Sequence, residues 1–188
     1  MRWNVLFAVL FLAYPFFVYF GISRFEPRMI AVVLMVLVLA RFFLLSGKVQ
    51  GTGGLQAAVV LVTALLIGAL AFASNSVEFL LFYPVCVNAL MFAIFFSSLL
   101  KPPSAIERFA RLSEPELSDA GVRYTRQVTK VWCVFFIANG AIALYSSLAT
   151  SLEFWTLYNG GLAYAFMAAL FGGEYLFRIW WRRRYDAG

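Results

Sequence analysis

Six apolar stretches alternate with short polar breaks along the chain, at about 5–22, 29–45, 55–72, 77–100, 127–148 and 154–177. Each is close to the roughly 20 residues an α-helix needs to cross a bilayer core. The pattern therefore predicts an all-α, polytopic transmembrane bundle of about six spans, a single integral membrane domain over 1–188. The first stretch follows Met1-Arg2 as a signal peptide would, but it is longer than a signal's apolar region and no small-residue cleavage site precedes Arg24, so a retained helix is expected. Pro15 is a candidate kink in it, and Pro27 is a good first residue for the second helix. Gly51-Thr52-Gly53-Gly54 reads as a turn before the third span, and Pro84 stands inside the fourth. A five-span alternative, with one of the first two helices buried or skimming the surface, stays open.

Charge orients the bundle. With both termini inside, the cytoplasmic segments hold Arg2, Arg41, Lys48, Lys101, Arg108, Arg111, Arg123, Arg126, Lys130, Arg178, Arg182, Arg183 and Arg184, which is 13 of the 15 Lys+Arg. Only Arg24 and Arg28 then face out. The positive-inside bias thus predicts an N-in, C-in topology.

The one long polar segment, 101–126, becomes a cytoplasmic loop between the fourth and fifth spans. Pro102-Pro103 stop the fourth helix. Ser104-Ala105-Ile106-Glu107 reads as a capping box, and Ile106, Phe109 and Ala110 share a face, so a short amphipathic helix is expected to lie in the membrane interface. Ser113-Glu114-Pro115-Glu116 is a candidate start for a further turn, and Asp119 for the cap of a helix running into the fifth span. On that helix Arg123, Arg126 and Lys130 recur at helical spacing, a candidate contact for lipid headgroups.

Composition narrows the chemistry. The chain is 63% hydrophobic and 13% charged, where soluble domains run near 45–50% and about 25%. A soluble enzyme is excluded. No His is present, which removes the usual general base and the commonest metal ligand. Cys86 and Cys133 form neither a zinc-ligand pattern nor a redox pair, and their depths, roughly 21 and 9 Å from the inner face at a rise of 1.5 Å per residue, disfavour a disulfide. The net charge of +6 belongs to membrane loops and not to nucleic-acid binding. No cofactor or metal site is expected, and an enzyme would have to draw on Glu78, Glu174, a Tyr or a Cys.

Polar side chains within spans are costly unless partnered. Asn88 and Asn139 each fall about 18 Å in from the inner face and are expected to face each other across the bundle. Asn159 is a third intramembrane polar candidate. Glu174 has Arg178 four residues on, and Arg126 or Lys130 at a similar depth. Glu78, Glu153 and Asn75 gather near the outer surface, as an acidic mouth or as solvated helix ends. Gly161, Ala165, Ala169 and Gly173 make a small-residue stripe, expected to pack within the monomer, with a homodimer face as the alternative. Trp132, Trp155, Trp180 and Trp181 read as interfacial belt anchors, and Arg182, Arg183 and Arg184 as headgroup contacts.

The segment Lys101-Pro102-Pro103-Ser104-Ala105-Ile106-Glu107-Arg108, followed by Val131-Trp132-Cys133-Val134-Phe135-Phe136, Gly140 and Trp155, resembles the intracellular septation protein family of small bacterial inner-membrane-spanning proteins. The likeness covers roughly 80–180. The family's Asn follows the helix-five Gly, whereas here Asn139 precedes Gly140, and Leu157-Tyr158-Asn159 stands where the family favours a Lys; a divergent relative is implied. The chain also resembles a related group of membrane proteins linked to aryl-polyene or fatty-acid-like pathways. The resemblance implies a non-enzymatic role in cell-envelope assembly, with membrane lipids and other envelope-synthesis membrane proteins as partners. A carrier or flippase-like protein for a lipid or polyene intermediate is the alternative.

Overall fold

The structure, a computed structural model, describes residues 13–45 and 52–185, with side chains over 13–40, 42 and 61–180. All regular structure in these residues is helical. The helices are α1 (Tyr14–Ile22), α2 (Pro27–Leu45), α3 (Thr52–Ser74), α4 (Val77–Leu81), α5 (Tyr83–Leu100), α6 (Ala105–Ala110), α7 (Asp119–Ala149) and α8 (Leu152–Leu157), then a π-helical turn at Tyr158–Leu162 and α9 (Ala163–Tyr185). Among the described residues, three helical segments are long and apolar enough to cross a membrane: Val77–Leu100, Asp119–Ala149 and Leu152–Trp180. The described apolar runs of α2 and α3, Pro27–Ala40 and Leu61–Ser74, are shorter.

Several predicted details shift. Residues 5–12 of the first stretch lie outside the described residues. Pro15 sits in the first turn of α1, where a missing N–H leaves nothing unsatisfied, so it does not kink the described helix. α2 begins at Pro27 itself. α3 starts at Thr52, so Gly53 and Gly54 are helical and not part of a turn.

α2 and α3 pack as a hairpin. Ala31 and Ala71 are fully buried, and a Cβ at Gly68 would overlap Met35, 2.4 Å from Cγ and 2.9 Å from Sδ. Their meeting end is fixed by Asn75, which takes the left-handed conformation (φ 50°) that Asn tolerates better than most residues. Its Oδ1 accepts from the Arg28 N–H at 3.2 Å, satisfying a first-turn donor of α2 that has no partner within its own helix.

The fourth predicted span is two helices, broken at Phe82. Pro84 has no N–H for the Leu80 carbonyl. That carbonyl instead accepts from the Tyr14 hydroxyl at 2.6 Å, and its neighbour, the Leu81 carbonyl, accepts from Trp155 Nε1 at 3.1 Å and lies 2.9 Å from Ser147 Oγ. A break in one helix is thus filled by donors from three others. Tyr14, Val18, Ile30, Ala31, Ala71, Leu80 and Trp155 form the apolar core around it.

The cap of α7 lies one residue before the expected one. Ser118 is the N-cap and accepts from the Gly121 N–H at 3.2 Å, while Asp119 supplies negative charge to the first turn. Ser113-Glu114-Pro115-Glu116 starts no helix; its backbone is irregular, and the Pro115 carbonyl accepts from Arg111 Nη1 at 2.9 Å.

Two tryptophans change role. Trp155 is completely buried, and Trp132 is buried among Phe95, Phe136 and Phe171, with ring centroids at 6.4, 5.7 and 4.5 Å. Neither is a belt anchor. Trp180 is half exposed, and the side chain of Trp181 lies outside the described residues.

Candidate functional site

The buried polar side chains of α5, α7 and the π-helical turn converge. Asn139 Nδ2 donates to Asn88 Oδ1 at 3.0 Å, and Tyr158 donates its hydroxyl to Asn139 Oδ1 at 2.8 Å. Asn88 Nδ2 donates to the Pro84 carbonyl at 2.8 Å. Each amide therefore has a partner for both its oxygen and its nitrogen, or for the end that points into the protein. The backbones come close enough for this because position 140 is glycine: a Cβ there would sit 3.1 Å from Asn88 Cβ.

Asn159, the residue after Tyr158, makes a second knot. Its Nδ2 donates to Ser146 Oγ at 3.1 Å and to the Trp155 carbonyl at 2.9 Å. A π-helical turn carries one extra residue, which displaces carbonyls from the regular ladder. The Trp155 carbonyl meets the Asn159 amide at that turn. Asn88, Asn139 and Asn159 are 8%, 7% and 5% exposed, so all three amides are shielded by protein. Residue counting anticipates the Asn88–Asn139 contact. It misses Tyr158, Ser146, Ser147, Trp155 and Tyr14. The available signal was the concentration of small hydroxyls and aromatics on the inward face of α7 and around the two prolines.

A further hydrogen-bonded knot holds the 101–126 loop. α6 presents its first N–H groups to hydroxyls of the neighbouring helices: Ala105 N donates to Ser98 Oγ at 2.8 Å and Ile106 N to Thr129 Oγ1 at 3.3 Å. The capping box is in place, with the Ser104 N–H donating to Glu107 Oε2 at 3.3 Å. Its hydroxyl half is loose, and Ser104 Oγ makes no hydrogen bond although it is buried. Glu107 is buried and receives Arg111 Nε at 3.0 Å and Nη2 at 2.8 Å. Glu107 and Phe109 lie on different faces of α6, as their spacing predicts. The protein-facing side of α6 carries Glu107, while Phe109 and Leu112 are 65% and 81% exposed.

Glu174 pairs with Arg178, Nε to Oε1 at 3.7 Å, and accepts from the Tyr124 hydroxyl at 3.1 Å. The cross-helix partner is thus Tyr124 and not Arg126 or Lys130, both of which are exposed. Arg123 is exposed as well. Arg182, Arg183 and Arg184 fall in α9, and their side chains lie outside the described residues.

The small-residue stripe does not pack within the monomer. Gly161, Ala165, Ala169 and Gly173 are exposed, and nothing lies within 4 Å of a Cβ built at Gly161 or Gly173. The helix is turned the other way because its inward contacts are Glu174 to Tyr124 and Phe171 to Trp132. Gly160, just before the stripe, is the close-packed one: a Cβ there would meet Phe16 at 2.9 Å.

The outer carboxylates serve local structure. Glu78 and Glu153 lie in the first turns of α4 and α8, where negative charge suits the helix dipole, and Ser76 donates its hydroxyl to Glu78. Asn75 is engaged with Arg28. Cys86 and Cys133 are free thiols, and among the described residues no group of three metal-ligating side chains comes together. Comparisons with family models, with curated proteins and with solved structures find no match for the chain.

Proposed function

We propose that this chain is a non-enzymatic protein of the bacterial inner membrane that supports cell-envelope assembly through helix–helix and lipid contacts. In this reading it spans the bilayer six times, through α1, α2, α3, α4–α5, α7 and α8–α9, with both termini in the cytoplasm. The Asn75–Arg28 contact between the 75–76 and 23–26 turns, and the Leu81 contacts with Trp155 and Ser147 near the 150–151 turn, support this reading. The Lys101–Arg108 and Val131–Phe136 sequences support kinship with the septation-protein-like family.

One observation carries the reading. The amides inside the spans are engaged by one another and by nearby hydroxyls and carbonyls, which suits a rigid bundle that offers its outer surface to partners. Deletion of the gene with lipid and pigment profiling of the envelope tests it: an altered envelope without loss of any single enzymatic product is expected. An unchanged envelope overturns it. Topology is tested with a C86A/C133A background carrying N75C or S118C. Asn75 should label from outside the cell and Ser118 only after permeabilisation.

A carrier for a lipid or polyene intermediate is the second reading. Helices interrupted at membrane depth often border transported substrates, and the described residues hold two interruptions, Phe82 and the π-helical turn at Tyr158–Leu162. Accumulation of a lipid intermediate on one leaflet in the deletion strain would select this reading over the first.

A further inference from the structure

Exposed cations are concentrated on one side of the first turns of α7. Arg123, Arg126 and Lys130 are exposed and have no carboxylate partner among the described residues, whereas Arg28, Arg111 and Arg178 each do. Arg123 and Lys130 lie about 10 Å apart along the helix. Three unpaired charges this close repel one another and call for a counter-charge.

The surface around them is built in two parts. Ala120, Arg123, Tyr124 and Gln127 line an open depression of about 250 Å³. Its aromatic wall is the Tyr124 ring, stacked on Phe177 of α9 with centroids 6.1 Å apart and planes 13° apart, and Phe177 in turn meets Trp180 at 5.6 Å. The nearby carboxylate, Glu174, is occupied by the Tyr124 hydroxyl and Arg178, so it leaves the Arg123 charge uncompensated. Farther along the same face of α7 the character changes. Val131, Val134 and Ile137 are 49%, 66% and 56% exposed, and they follow directly on Lys130. On α9, Phe171, Leu176 and Phe177 are similarly bare.

A cationic, hydrogen-bonding patch that passes within one helical turn into an exposed apolar strip matches one kind of molecule: an amphiphile with an anionic head and a hydrocarbon tail. We propose that the α7–α9 junction binds an anionic phospholipid, its headgroup phosphate held by Arg123, Gln127 and Lys130 and its chain lying along Val131 and Val134. Arg123 supplies planar paired donors, Gln127 an amide donor, and Lys130 reaches back toward the headgroup on its flexible stem. Tyr124 and Phe177 form the side wall at headgroup level. The assignment rests on the membrane reading above and names the lipid class that this reading leaves open.

The test uses the full chain in nanodiscs of phosphatidylcholine containing phosphatidylglycerol, with retained lipids counted by native mass spectrometry. Phosphatidylglycerol should be retained over phosphatidylcholine. R123Q/K130Q should lower that retention about 30-fold, as expected from roughly 1 kcal/mol for each of two basic residues at a membrane surface. Q127L should lower it less, and R24Q, at the other end of the bundle, should leave it unchanged. Circular dichroism and size exclusion verify that each variant folds. Equal retention of the two lipids, or an R123Q/K130Q chain that behaves like the parent, overturns the proposal. Competition by millimolar inorganic phosphate also overturns it, in favour of a free-anion site. Release of the chain from membranes by alkaline carbonate would defeat the membrane reading itself, so that failure is distinguishable from loss of lipid preference in a carbonate-resistant chain.

Discussion

The α2–α3 hairpin and the α5–α7 hairpin are both close helix pairs with a glycine at the contact, yet they hold together differently. At Gly68 the facing group is the Met35 side chain, and the buried neighbours are Ala31 and Ala71. At Gly140 the facing atom is Asn88 Cβ, and Asn88 hydrogen-bonds to Asn139 beside the glycine. In lipid no hydrophobic force draws one apolar helix to another; packing and interhelical hydrogen bonds do the work. Apolar packing alone tolerates sliding and rotation. A hydrogen bond between two buried amides fixes register, because a slip of one residue strands both. Among the described residues the first hairpin is tied only at its end, by Asn75 and Arg28, and is adaptable along its length, whereas the second is pinned within it.

The largest effect should come from the point where the pinned region reaches the rest of the molecule. Trp155 is fully buried, fills the core between Tyr14 and Leu80, and donates to the Leu81 carbonyl freed near the Pro84 break. Trp155→Ala leaves a cavity and takes one of its two donors from that carbonyl. A loss of about 3 kcal/mol is expected, at the low end for Trp truncation because lipid surroundings weaken the transfer part of the cost. Reversible unfolding in mixed detergent micelles measures it. A change within about 0.5 kcal/mol would mean that the break is held by Tyr14 and Ser147 without Trp155.

The glycines compare the two hairpins directly. Gly68→Ala presses on the Cγ and Sδ of a flexible methionine, which can swing aside. Gly140→Ala presses on Asn88 Cβ, which cannot move without its backbone. Overpacking of an unyielding contact costs roughly 1–3 kcal/mol. Gly140→Ala should fall in that range and Gly68→Ala well below it, by the same unfolding measurement. Equal costs would erase the distinction between the hairpins.

Much of this difference could be read from the sequence, and the rest could not for specific reasons. Counting 1.5 Å per residue inward from the two ends of the 101–126 loop puts Asn88 and Asn139 at one depth, and two amides at one depth in hydrocarbon have little choice of partner. The same counting fails at Trp155. A Trp near a predicted span end reads as an interfacial anchor, and only the helix break at Phe82, which exposes the Leu81 carbonyl, gives its indole a reason to turn inward. Glu107 is legible as the capping-box carboxylate, but its burial is not, because that depends on Arg111 and on the turn of α6 toward α7. Spacing also cannot say which way a stripe faces. Gly161, Ala165, Ala169 and Gly173 do share one face, and the contacts of Glu174 and Phe171 turn that face outward.

A coupling energy, smaller than the cost of either single change that defines it, is the most diagnostic. Asn139→Leu removes the donor to Asn88 Oδ1 and the acceptor for the Tyr158 hydroxyl, leaving both partners unsatisfied within the bundle. Interhelical hydrogen bonds in membranes average about 0.6 kcal/mol and reach about 1.7. Two bonds and two stranded groups put Asn139→Leu near 1–2 kcal/mol. Asn88→Leu removes one shared bond, and Asn88 Nδ2 also serves the Pro84 carbonyl, which can turn to other donors less easily. If the amide pair is the pin, the N88L/N139L double variant should cost less than the sum of the singles, since each single already breaks the shared bond. A coupling of about 0.5–1.5 kcal/mol is expected from the full double-mutant cycle. The same cycle on Met35→Ala and Gly68→Ala should give a coupling that reflects only packing, with Gly68→Ala tolerated better once Met35 is shortened. Strict additivity at Asn88 and Asn139 would show that the amides only fill space there, and the contrast between a sliding hairpin and a pinned one would then rest on Gly140 alone.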